Sequence, residues 1–150
     1  MKRLFLFVAL FGLAPSTAVA QRLDLSLSPA VITFPSSDPD AVPLVAAPPV
    51  QVTYRVRQNN NAPWSLTMLA AGDLISGPSR VDIANVTWVA TPAPPFQNGT
   101  LSKTVAQRVA SGTGNVNPDT IGSITFRLAN SWTYSTGTYT QTILFTLSAP

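Results

Sequence analysis

For chemistry this chain of 150 residues offers six aspartates and a single internal lysine, with no glutamate, no histidine and no cysteine. Without histidine or cysteine there is no imidazole base and no thiolate nucleophile, and metal sites of those ligand types cannot be built. Asp38 and Asp40 are the closest carboxylates in sequence, and a carboxylate pair is what hydrolytic acid/base work requires. They sit among prolines, however, where solvated loop carboxylates are the simpler reading. Their spacing brings too few oxygens together for a Ca²⁺ site, and the serines have no base partner. The chain is therefore expected to be a non-enzyme that holds neither a metal nor a cofactor.

The aromatic residues are the other candidates. An indole or phenol ring presents apolar area that can stack on a sugar ring, and Trp64, Trp88, Trp132, Tyr54, Tyr134 and Tyr139 are available. Trp64 and Trp88 fall at alternating strand positions, which favours the core, although Trp64 is retained as a ligand-binding candidate. Trp132 and Tyr134 flank a Ser/Thr/Gly turn and are expected to be partly exposed. They form the best candidate contact surface.

The elements that must position these residues read as β-strands almost throughout. Leu23, Leu25 and Leu27 alternate with Asp24, Ser26 and Ser28, and Val31 to Phe34 suggests a second short strand. Residues 35–49 are rich in proline and alanine and read as a loop or an extended edge segment. Val50, Val52, Tyr54 and Val56 alternate with polar residues, and after Asn59-Asn60-Asn61 the run Trp64, Leu66, Met68 begins another strand. The two are expected to pair as a hairpin. Further strands are expected over residues 81–89 and 121–128, residues 104–110 read as a strand in preference to a short helix, and loops are expected over 73–80 and 112–118. Tyr139, Gln141, Ile143, Phe145 and Leu147 alternate with Thr140, Thr142, Leu144 and Thr146, a half-buried strand running almost to Pro150. No stretch carries a sustained 3.6-residue period with capping residues, so helix is expected to be minor. Seven to nine short strands separated by Pro, Gly and Asn turns predict an all-β antiparallel sandwich. The Gly137-x-Tyr139 spacing matches a tyrosine corner, which adds an immunoglobulin-like expectation.

Both ends bear on location. Met1-Lys2-Arg3 is basic, Leu4 to Leu13 is apolar, and Ala18-Val19-Ala20 is a small-x-small site, so residues 1–20 read as a secretory signal peptide cut before Gln21. The apolar run is well short of the roughly twenty residues that span a bilayer. Residues 21–150 then form one domain, with no transmembrane segment expected in the mature chain and no C-terminal tail for tethering. Loss of Lys2 and Arg3 leaves Lys103 and six arginines against six aspartates, a formal charge of +1. These cations are scattered, unlike the concentrated stripe that nucleic acid demands, so no nucleic-acid partner is expected. Asn85-Val86-Thr87 and Asn98-Gly99-Thr100 fit the N-glycosylation acceptor pattern.

Trp64-Ser65-Leu66 resembles the Trp-x-Leu signature of the WxL domain, a bacterial surface module. Tyr139, Ile143, Leu147 and Pro150 match its distal motif, whereas Leu144 and Phe145 replace the threonine and second tryptophan of that family. The resemblance covers the C-terminal two thirds of the chain. It implies a β-rich domain attached non-covalently to the cell surface, with peptidoglycan as wall ligand. Phe145 keeps an apolar ring but lacks the indole N–H.

Two functions follow as expectations. The first is a secreted, non-catalytic module that binds cell-wall polysaccharide, peptidoglycan or another surface glycan, extracellular or, in a double-membraned envelope, periplasmic. The second is an adhesin or pilin-like structural subunit of a pilus or coat, with other surface proteins or its own copies as partners. There the arm carrying Leu23, Leu25 and Leu27 would add a strand to a neighbour.

Overall fold

A computed structural model describes residues 21–58 and 61–150, so the signal segment and most of the asparagine turn lie outside the described residues. Seven strands have six residues or more: β1 (Arg22–Ser28), β3 (Val50–Arg57), β4 (Pro63–Ala70), β7 (Val86–Thr91), β9 (Gln107–Thr113), β10 (Val116–Ala129) and β11 (Ile143–Ser148). Four shorter ones fill the sequence between them: β2 (Leu44–Ala46), β5 (Leu74–Ser76), β6 (Ser79–Val81) and β8 (Gly99–Thr100). The only helical element among the described residues is a 3₁₀ turn at Ile83–Asn85, capped by the Asp82 side chain accepting from the Ala84 N–H. The protein is thus the all-β antiparallel sandwich that its period-two pattern predicts.

One sheet runs β1-β3-β10-β7-β8, with β2 also on β10, and the facing sheet runs β11-β4-β9. Every pairing is antiparallel. Side chains alternate across a strand, so Val52, Tyr54 and Val56 on β3 enter the core together with Trp64, Leu66 and Met68 on β4. Trp88, Ile124 and Phe126 from the larger sheet complete the centre. Each fully buried side chain of this size contributes about 1.5–3 kcal/mol. β10 is the axis of the larger sheet, because β3 and β2 lie end to end along one side of it and β7 along the other.

Four local expectations change. β3 and β4 do not pair as a hairpin: β3 bonds to β1 and β10, β4 to β9 and β11, and the chain arches from one sheet to the other. That arch lets Tyr54 meet Trp64 across the core, ring centroids 5.1 Å apart and tilted by 49°. Val31 to Phe34 forms no strand, and Ile32 and Phe34 pack against the core as extended chain. The loops expected at 73–80 and 112–118 are mostly strand. The first is the β5–β6 hairpin, turned at Gly77 with φ of 55°. The second is the turn between β9 and β10, where Gly114 takes φ of 73° and the ladder shifts register between Val116 and Thr120, around Pro118. A register shift is where a sheet tolerates a proline.

Candidate functional site

Trp132 is the largest exposed apolar side chain among the described residues, at 68%. It follows the end of β10, and its indole N–H donates to Asp40 Oδ1 at 3.1 Å. Asp40 belongs to a turn closed by Asp38, whose Oδ1 accepts from the Asp40 N–H at 2.9 Å and whose carbonyl accepts from Val42 N–H at 2.8 Å. Asn130 ties the two loops together, donating to the Ser37 carbonyl, the Ser37 hydroxyl and the Val42 carbonyl at 3.1–3.2 Å. The two aspartates therefore organise a loop. With its polar edge bonded to Asp40, Trp132 keeps about two thirds of its surface open to solvent.

Tyr134 stands differently. Its hydroxyl donates to the Ala129 carbonyl at 3.0 Å and the ring packs against the core, half-buried, where desolvation raises the phenol pKa. Tyr139 donates to the Ser135 carbonyl at 3.1 Å, a bond back to the chain four residues upstream.

Trp64 is 5% exposed. Its ring lies over Gly112, its register partner on β9, so closely that an added Cβ would stand 2.6 Å from Cζ2. The Trp64 indole N–H has no hydrogen-bond partner, whereas Trp88 donates to the Gln97 carbonyl at 2.8 Å. Trp64 and Trp132 also sit at opposite ends of β10. Val116, at the start of that strand, pairs with Val56 beside the Trp64 arch, and Ala129, at its end, pairs with Leu44 near the Trp132 loop. At about 3.3 Å per residue these ends are roughly 40 Å apart.

The two motif halves meet in space, because β4 and β11 are neighbours: Leu66 stands opposite Leu147, and Met68 opposite Phe145. Trp64 and Leu66 are buried, while Ile143, Phe145 and Leu147 are half-buried against the same core. Outside this pair of strands lies an open groove of about 670 Å³, lined by Trp64, Ser65, Arg108, Ser111, Ser148 and Pro150 among others. The Ser65 and Ser148 hydroxyls, on paired residues of β4 and β11, are 3.1 Å apart in its lining. Sequence reasoning missed this groove, since Arg108 and the three serines are united only by strand pairing. It also missed Gln58, which is 8% exposed and whose amide donates to the Ala62 and Gly114 carbonyls at 2.7 and 3.0 Å.

The arm bearing Leu23, Leu25 and Leu27 is β1, and it pairs within its own domain, Leu23 opposite Val56, Leu25 opposite Tyr54 and Leu27 opposite Val52. Of the two acceptor-pattern asparagines, Asn98 uses its side-chain oxygen to accept from Ala90 N–H at 2.9 Å, and Asn85 donates to the Asp82 carbonyl at 3.1 Å. No group of three or more metal-ligating side chains converges among the described residues. No described helix is long and apolar enough to cross a membrane.

Fold and surface together define an all-β sandwich that presents a pinned, exposed indole and, apart from it, a groove bordered by Arg108 and three serines. No protein-family model, curated protein or solved structure matches the chain. The WxL resemblance accordingly stands on its own residues.

Proposed function

We propose that this protein is a secreted, non-catalytic module of the cell surface that binds cell-wall polysaccharide, peptidoglycan or another surface glycan non-covalently, through Trp132. The supporting observation is the geometry of that residue: a 68% exposed tryptophan whose N–H is already bonded to Asp40, which fixes a large apolar ring at the surface where a sugar ring could stack. Preorganisation of this kind lowers the ordering cost of binding. Tyr134 supports the turn from beneath, and Trp64 contributes through the core and not as a stacking face. The signal-like segment before Gln21, the WxL-like pairing of Leu66 with Leu147 and the back-bond of Tyr139 favour the same reading of an exported, immunoglobulin-like surface domain.

Co-sedimentation with purified cell-wall sacculi tests it. Exposed tryptophans that anchor an interface cost about 2 kcal/mol or more on truncation, so Trp132→Ala should weaken binding by roughly thirtyfold or more with the fold unchanged. Arg108→Ala, in the distant groove, should leave binding within about twofold. Equal binding by wild type and Trp132→Ala would remove Trp132 from the site, and no pelleting of wild type would remove the wall as ligand.

A further inference from the structure

A sheet edge offers unpaired N–H and C=O groups, and proteins usually blunt it. In this sandwich each edge but one carries such a device. β9 is covered by the Phe96 segment, which bridges to Ala110 and donates from Gln97 N–H to the Val109 carbonyl at 2.7 Å. β2 and β8 are only three and two residues long. β1 carries Arg22 and Asp24, paired at 3.0 Å, and is followed by Pro29. The exception is β11, Ile-Leu-Phe-Thr-Leu-Ser, with no charge, proline or glycine, and it pairs only with β4.

Its free hydrogen-bonding groups can be assigned. The Thr142 carbonyl accepts from Ala71 N–H at 2.9 Å, so Thr142 faces β4, and the register then runs without a shift from Ile143 opposite Ala70 to Ser148 opposite Ser65. By antiparallel alternation Leu144 and Thr146 also face β4, while the N–H and C=O groups of Ile143, Phe145 and Leu147 face away. The side chains of those three residues are half-buried on the core side, and Leu144 is 60% exposed on the outer side.

We propose that this edge docks a second copy of the chain, β11 against β11 in antiparallel fashion, about a two-fold axis at Phe145. The strand is self-complementary in this register. Phe145 meets its own copy, Ile143 meets Leu147, and inner faces remain inner faces. All three outward-facing residues then fall in hydrogen-bonded pairs, giving about six backbone bonds where a shift by two residues gives about four. No charge on either strand opposes the contact, and the three-stranded sheet becomes a continuous six-stranded one. A two-fold contact closes on itself, so the product is a dimer and not a filament. The inference does not depend on glycan binding, and its test contains no glycan.

The register supplies the experiment. Leu144 of one copy lies opposite Thr146 of the other in a non-hydrogen-bonded pair, with Cα atoms about 4.5 Å apart, within disulfide range, whereas Leu144 to Leu144 is a diagonal of about 7–8 Å, beyond it. The chain has no cysteine of its own. Leu144→Cys protein mixed with Thr146→Cys protein should oxidise to the mixed disulfide dimer at least several-fold faster than either protein alone. Light scattering should show wild type moving from monomer to dimer mass with concentration, and the Leu144→Lys/Thr146→Lys double variant, which sets lysines opposite lysines, should stay monomeric. A wild type that remains monomeric up to millimolar concentration, or crosslinking no faster in the mixture than in the separate proteins, would overturn the proposal. The cysteine arm decides the matter even if the lysine variant does not fold.

Discussion

The two long seams of the sandwich are finished in opposite ways. On one side β8 and the Phe96 segment close over β9: Phe96 is 2% exposed, lies against Tyr54 at 5.9 Å and covers the backbone of Gly122, while Gln97 caps both Val109 and the Trp88 indole. On the other side β1 and β11 approach without a hydrogen bond between their strands, and their core-facing leucines, isoleucine and phenylalanine are only half-buried. The difference teaches that a sandwich edge is closed by the chain that crosses it, not by the strands themselves. The crossing segment on the closed side holds Pro92, Pro94 and Pro95, which break the strand and free Phe96 to turn inward.

The contrast can be broken most severely at the closed side. Phe96→Ala should cost about 3–5 kcal/mol, because it opens a cavity at the core and uncovers the β9 edge. Thermal denaturation should show a large fall in melting temperature, accompanied by aggregation that wild type lacks. The equivalent change at the open seam should be milder. Leu25→Asp places a carboxylate at a half-buried position beside Tyr54, where water remains within reach, and about 1–3 kcal/mol is expected from urea titration. A loss at Leu25 as large as that at Phe96 would erase the distinction between the seams.

The smallest effect belongs to a partly exposed ion pair at the surface. Lys103 Nζ contacts Asp73 Oδ2 at 2.6 Å, and the hydrogen bond to Lys103, with a further one from the Ile83 N–H, holds the Asp73 carboxyl below its ordinary pKa. The lysine is shifted up by the same bond. The depressed carboxylate stabilises the fold above the ordinary carboxylate range and loses that contribution as pH falls through its folded pKa. The raised lysine contributes below the ordinary lysine range and loses it as pH rises through its folded pKa. Asp73→Asn should thus be slightly less stable than wild type near neutral pH; the two should converge in strong acid, and the gap should narrow in strong alkali as Lys103 loses its charge.

Much of this plan is legible in the residues. The period-two runs of Leu23–Leu27, Val50–Val56, Trp64–Met68 and Ile143–Leu147 mark four of the long strands and assign their inner faces, because alternation is a local property. Pairing is not local. Nothing in the run Val50–Val56 says that its partners are Leu23–Leu27 and Val116–Ile124, so the arch between β3 and β4 reads as a hairpin. Short strands are hidden for a related reason: Leu44–Ala46 lies among prolines, and only its partner β10 holds it extended. At the candidate site the exposure of Trp132 follows from its turn context, but its tie to Asp40, 92 residues away, does not. Trp64 shows the reverse, since the alternation that places it in the core outweighs its aromatic chemistry.

Amide hydrogen exchange of wild type by NMR, at low and high protein concentration, tests the unequal seams most directly. The Gln97 amide, bonded across the closed seam, should be protected at every concentration. The amides of Ile143, Phe145 and Leu147 should exchange freely when dilute and become protected together as concentration rises. Protection of those three amides in the dilute monomer, at the level of Gln97, would contradict the account, because it would mean that the open seam is already closed within one chain.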